Sequence, residues 1–84
     1  MTHLTITVQA DWGADVEEWL EEWAGENDQT AEVIDQGRWM DGGRKVVTLV
    51  VKVSGMAIEM QRELDYDFGR VGVREMTKEE VEAL

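Results

Sequence analysis

No cysteine and no proline occur in the 84 residues, and histidine and serine occur once each, as His3 and Ser54. The absence of cysteine rules out disulfides, thiolate nucleophiles and cysteine-ligated zinc. A single histidine leaves nothing from which to assemble a histidine zinc site. A Ser-His-Asp triad would need both His3 and Ser54. His3 reads as an exposed strand residue near a terminus, of interest only as a pH-sensitive contact. Ser54 has a sufficient role as the N-cap of a following helix. No apolar run approaches the roughly 18 residues of a membrane span. The opening "MTHLTITVQADW" lacks the basic head and long apolar block of a signal peptide. The expectation is a cytoplasmic chain that binds neither cofactor nor membrane.

Basic residues are absent from nearly half the chain. Residues 1–37 hold ten acids and no Lys or Arg, whereas residues 38–84 hold nine acids and eight bases. Ten of the 11 excess negative charges therefore lie in the first 37 residues. A field of that sign repels nucleic acid and anionic lipid and attracts cationic partners. Direct nucleic-acid binding is not expected. At 43% hydrophobic content the chain can still build a core. Its length fits one small domain, residues 1–84.

The hydrophobic pattern gives the order of elements. "LTITVQA" alternates, with Leu4, Ile6, Val8 and Ala10 on one side, and predicts a half-buried strand. Trp12, Val16, Trp19, Leu20 and Trp23 follow at helical spacing. Asp11 or Asp15 can cap this helix, and Gly25 with "END" closes it. Thr30–Met40 reads as a second strand, with a bulge expected near Asp35–Gly37 where the alternation slips. "DGG" at 41–43 is a hairpin turn. "RKVVTLVVKV" is apolar on both faces and predicts a central strand. Ser54 would cap a helix over 55–66 with Met56, Ala57, Met60 and Leu64 inward, broken by "DYDFGR". Val71–Met76 is a short fourth strand. In "TKEEVEAL", Thr77 and Glu80 stand at capping-box spacing.

The predicted class is α+β. The order β-α-β-β-α-β, with a short C-terminal helix, resembles the ferredoxin-like architecture. That resemblance implies a four-stranded antiparallel sheet with two helices on one face. It hosts many unrelated functions and does not name one.

Motifs for chemistry are sparse, and the chain reads as a non-enzyme. Asp65 and Asp67 flank Tyr66 without the glycine and terminal glutamate of a calcium loop, and are read as helix-end and turn residues. "DFG" at 67–69 lacks every companion motif of a kinase. "GRVG" at 69–72 lacks the strand-then-helix setting of a phosphate loop. No metal site is expected.

The acidic helix carries the strongest functional signal. On a helical wheel its tryptophans fall within about 60° of Val16, a stripe expected to be core. Asp15, Glu17, Glu18, Glu21, Glu22 and Glu26 fill the opposite half. Glu17/Glu21, Glu18/Glu22 and Glu22/Glu26 are like charges at i,i+4 and Glu18/Glu21 at i,i+3, each costing about 0.2–0.5 kcal/mol. Stability alone would interleave lysine, so the broken local rule points to function. Trp39 and Met40, beside the hairpin, form a second candidate surface, because tryptophan is favoured at binding hot spots.

Four readings fit this face. One is solubility alone. Another is adaptation to high salt, which predicts acids over the whole surface rather than in one half. A third is nucleic-acid mimicry. Carboxylates one turn apart repeat every 5–6 Å or so, comparable to phosphate spacing along a strand, and a row of them can fill a basic nucleic-acid-binding groove. In size and charge the sequence resembles the small acidic inhibitors that phages make against host nucleases, CRISPR complexes or polymerases. Its site of action would then be the host cytoplasm. The fourth is an ACT-like regulatory module, a homodimer through the open sheet face (Thr5, Thr7, Thr48, Val46, Val50) that binds a small molecule. The expected partner is a basic protein surface, and the expected function is a protein-interaction module.

Overall fold

The computed structural model describes residues 1–55, 58–69 and 71–84. In chain order these form β1 (Thr2–Gln9), α1 (Gly13–Glu26), β2 (Ala31–Asp41), β3 (Arg44–Val53), α2 (Ile58–Phe68), β4 (Gly72–Glu75) and α3 (Lys78–Glu82). The strands make an antiparallel four-stranded sheet in the order β2-β3-β1-β4, an α+β arrangement. The two strands with the most regular hydrophobic pattern, β1 and β3, are the central pair.

Period-two alternation sorts the sheet into two faces. Leu4, Ile6 and Val8 of β1 stand opposite Val51, Leu49 and Val47 of β3, and all six are at most 2% exposed. Val16, Leu20 and Trp23 of α1 and Met60 and Leu64 of α2 join the same cluster. Both helices therefore pack on one side of the sheet. On the other side Thr7 and Thr48 face each other across β1 and β3, their hydroxyls 3.0 Å apart. Val46 also points to this side and is 8% exposed, opposite Trp39. Leu84 at the C-terminus is 58% exposed.

The hairpin forms as its residues require. Gly42 and Gly43 both take positive φ, at 56° and 88°, the geometry of a two-residue type I′ turn. The bulge sits slightly earlier than the alternation suggests. Register shifts between Val33 and Asp35, leaving Ile34 without a cross-strand partner.

Helix ends depart more from expectation. Ala10 belongs to a 3-10 turn over Ala10–Trp12 rather than to β1. Trp12 occupies the N-cap of α1 with no side-chain cap, so neither Asp11 nor Asp15 serves there. Gly13 instead seats the first turn, since a Cβ on it would lie 3.1 Å from Val47 Cγ1. Gly25 itself stays helical, and α1 runs to Glu26 and closes within "END" as expected, with Asp28, at φ 54°, in the left-handed position. The Gln29 N–H then donates to the Ala24 carbonyl at 2.9 Å, the six-to-one bond of a Schellman ending. The Asn27 amide adds a side-chain bond to the Trp23 carbonyl.

Ser54 links two strands. Its Oγ accepts the Thr30 N–H at 2.9 Å and ties the start of β2 to the end of β3. Met56 and Ala57, expected on the inner stripe of α2 and bearing the N–H groups that Ser54 would cap, lie outside the described residues. "DYDF" does not break α2, which runs to Phe68 and stops at Gly69 with φ 77°. Tertiary contacts hold that last turn. Phe68 packs on Trp12 and Trp19, with centroids at 6.1 and 6.5 Å. β4 is shorter than Val71–Met76. The capping box of α3 forms as read from the sequence, Thr77 Oγ1 accepting from the Glu80 N–H while Glu80 accepts from the Thr77 N–H.

Gly25 sits inside α1 with open space where a Cβ would go. Gly25→Ala is therefore expected to stabilise the fold by about 0.5–1 kcal/mol, read as a raised urea midpoint with unchanged slope.

Candidate functional site

The seating of α1 decides which of its side chains face outward. Gly13, Val16, Leu20, Trp23 and Ala24 are its buried residues. Asp15, Glu18, Glu21, Glu22 and Glu26 are exposed and Glu17 is half-buried. At 1.5 Å per residue the six acids extend over about 16 Å of helix. Among the described residues the ion pair is Arg74–Glu80, and no α1 carboxylate has a basic partner.

The tryptophans do not turn inward together. Trp23 is 4% exposed, whereas Trp12 and Trp19 are half-buried and close the gap towards α2. Trp19 stacks on Trp23 (6.5 Å, 13°) and donates its indole N–H to Asp67 Oδ2 at 2.6 Å. Asp67 is thus an acceptor between helices, beyond its predicted role in a turn.

The acids form two sets rather than one row. Glu17 and Glu21 border a groove against β2, which Glu32 and Asp35 continue. Glu22 and Glu26 border the groove against α2, with Glu63 and Asp67 opposite. Asp15 and Glu18 line neither groove. Glu32, Asp35, Glu63 and Asp67 escaped the sequence reading because the apposition of separate elements brings them there. No periodicity within one segment reports it.

Trp39 and Met40 are exposed at 47% and 58%, yet they do not form one surface. As neighbours on β2 they point to opposite sides of the sheet. Trp39 lies on the side away from the helices and donates its indole N–H to Thr48 Oγ1 at 2.9 Å. Among the described residues no three His, Asp or Glu side chains are placed to hold a metal ion. No helix in the described residues is long and apolar enough to cross a membrane. No protein-family model, curated protein sequence or solved structure matches this chain.

Among the described residues the acid neutralised by an ion pair, Glu80, lies away from this face. Arg74 holds Glu80 in a two-bond fork at 2.7 and 2.8 Å. Those bonds, followed by the Thr77 N–H, draw the Glu80 carboxyl from 4.5 to about 2. A depressed carboxyl stabilises the folded form above its unfolded value and loses that effect as pH falls through the folded one. The α3 attachment is therefore expected to weaken between pH 4.5 and about 2. Carboxyl-carbon NMR should find Glu80 titrating near the lower limit, and Arg74→Gln should raise it part of the way, the Thr77 N–H still holding it below the ordinary carboxylate range.

Proposed function

We propose that this chain is a non-enzymatic, acidic protein-interaction module of ferredoxin-like topology. In its sharpest form it is a nucleic-acid mimic that occupies the basic DNA- or RNA-binding surface of a partner and excludes the substrate. The observation that carries the reading is the set of outward α1 carboxylates, none paired with a base among the described residues. A helix seated by packing holds them in fixed relative positions, and unneutralised carboxylates release bound cations when a basic surface replaces them. The strand order β2-β3-β1-β4 supports the ferredoxin-like assignment. A nuclease, a CRISPR complex or a polymerase of a phage host has the required kind of surface. The host cytoplasm would be the place of action.

A second reading, the ACT-like regulatory dimer, draws on the uncovered sheet face. Trp39 is half exposed there beside Val46, Thr48 and Val50. It predicts a dimer on gel filtration and a melting curve shifted by an amino acid or nucleotide. A monomer indifferent to both removes it.

Glu17, Glu18, Glu21 and Glu22 changed together to Gln should abolish salt-sensitive capture of a basic partner. DNA should compete with the unaltered protein for that partner. The same change removes like-charge repulsion, so stability should hold or rise by as much as about 1–2 kcal/mol. Capture unchanged by the four substitutions would sink the mimic reading.

A further inference from the structure

The open side of the sheet differs in charge from the rest of the chain. Alternation along the strands places Glu32, Asp35 and Asp41 there, and with them Arg44, Lys52 and Arg74. Glu32 and Asp35, on the edge strand, border the β2 groove as well. Three acids meet three bases, so the strand residues on this side sum to zero while the chain carries a net charge of −11. Every excess negative charge lies elsewhere. A second copy of the chain is repelled from the acidic helical side and meets no such barrier here.

The shape of the molecule is an observation independent of charge. It is flat, 38 × 30 × 17 Å, with its helices on one side of a single sheet. A compact monomer of this mass exposes about 5,100 Å². This chain exposes 5768 Å², about 700 Å² more. That excess is close to the roughly 800 Å² that each partner contributes to an interface of standard size. Trp39, 47% exposed on the open side, is the kind of side chain that anchors such contacts.

The register selects one orientation for the pair. Asp35, Val50, Thr5 and Arg74 form one row across β2, β3, β1 and β4, and Gly37, Thr48, Thr7 and Gly72 form the next. A two-fold axis parallel to the strands, midway between β1 and β3, lays β2 of one copy over β4 of the other. Asp35 then stands over Arg74 at both ends of its row. Gly37 stands over Gly72 and Thr48 over Thr7, where short side chains let the sheets approach. An axis across the strands lays β2 over β2 and β3 over β3 instead. Centred on the Gly37 row, it puts Asp41 over Glu32 and Arg44 over Lys52, like charge on like. Arg74 forks onto Glu80 with its side chain still 57% exposed, and Asp35 has no basic partner among the described residues. The five N–H donors of a guanidinium can serve both carboxylates.

We propose that a second copy of this chain docks on the open sheet face about the axis parallel to the strands, the Asp35 carboxylate of each copy meeting the Arg74 guanidinium of the other. This rests on the sheet contact of the regulatory-dimer reading and needs no small molecule. The polar groups of each face are satisfied in water, so the pair separates without unfolding. Both α1 faces look outward, on opposite sides of the pair.

The test is sedimentation velocity of the full chain without ligand, from about 5 to about 500 µM. The mass should double across that range. The Trp39 indole N–H signal should move with concentration, while those of Trp19 and Trp23 stay. Asp35→Lys and Arg74→Glu should each weaken the pair at least about tenfold, and the two together should restore it to within about threefold. Gly37→Gln meets open space in a single copy and should weaken the pair at least about tenfold by holding the sheets apart. Each variant is first checked for a native spectrum. Asp35→Lys and Gly37→Gln lie away from the Arg74–Glu80 fork and test the face without disturbing it. A monomer throughout, a pair indifferent to Gly37→Gln, or a double variant no better than the single ones would overturn the proposal. A pair that forms only with an added amino acid or nucleotide overturns it as well, and leaves the regulatory-dimer reading standing. A ligand-free pair whose melting curve no small molecule moves supports it and removes that reading's ligand. The acids of the fourfold Gln variant belong to α1, so its result bears on the mimic alone.

Discussion

Everything on the acidic side depends on how tightly α1 lies against β1 and β3. Gly13 lets the first turn approach Val47, and Val16 and Leu20 lose all but 1% of their exposure. Burying a side chain of that size is worth about 1.5–3 kcal/mol. Four like-charge pairs on the outer side cost about 0.2–0.5 kcal/mol each. Burial of Val16, Leu20 and Trp23 exceeds that repulsion, so packing stabilises a helix that its surface composition does not. A narrow buried stripe with a wide acidic back follows from the same contact.

The second constraint is the aromatic link between the helices. Trp12 and Trp19 meet Phe68, Trp23 stacks on Trp19, and Asp67 accepts from Trp19. This link extends α2 through a stretch of sequence with turn-like composition. It also uses one carboxylate for structure within an acidic surface. The result is an α1–α2 boundary that is part core and part cleft, with aromatic planes and carboxylates on one wall.

The sheet face opposite the helices has a different character. Threonine hydroxyls pair there, and Trp39 shares its N–H with one of them. A hydrogen-bonded polar surface of this kind needs no cover in water. Val46 is already buried beside Trp39, which reduces the apolar area that a second subunit would have to hide.

Much of the fold was legible in the sequence because it comes from local periodicity. The alternation in β1 and β3, the two glycines of the hairpin, the Val16–Leu20–Trp23 stripe and the Thr77–Glu80 box each use residues close in the chain. The acids of α1 faced outward for the same reason. Tertiary structure decided what local pattern leaves open. It carried α1 past Gly25, made Ser54 a tie between strands, and carried α2 through "DYDF". It also divided the carboxylates between two grooves. Those outcomes rest on contacts between distant residues, such as Trp19 and Asp67, 48 positions apart. The sequence determined that a negatively charged helical face exists. Only the packing of α2 and β2 beside it decided which acids share a cleft, because a helical wheel records direction around one axis and not the neighbour that stands there.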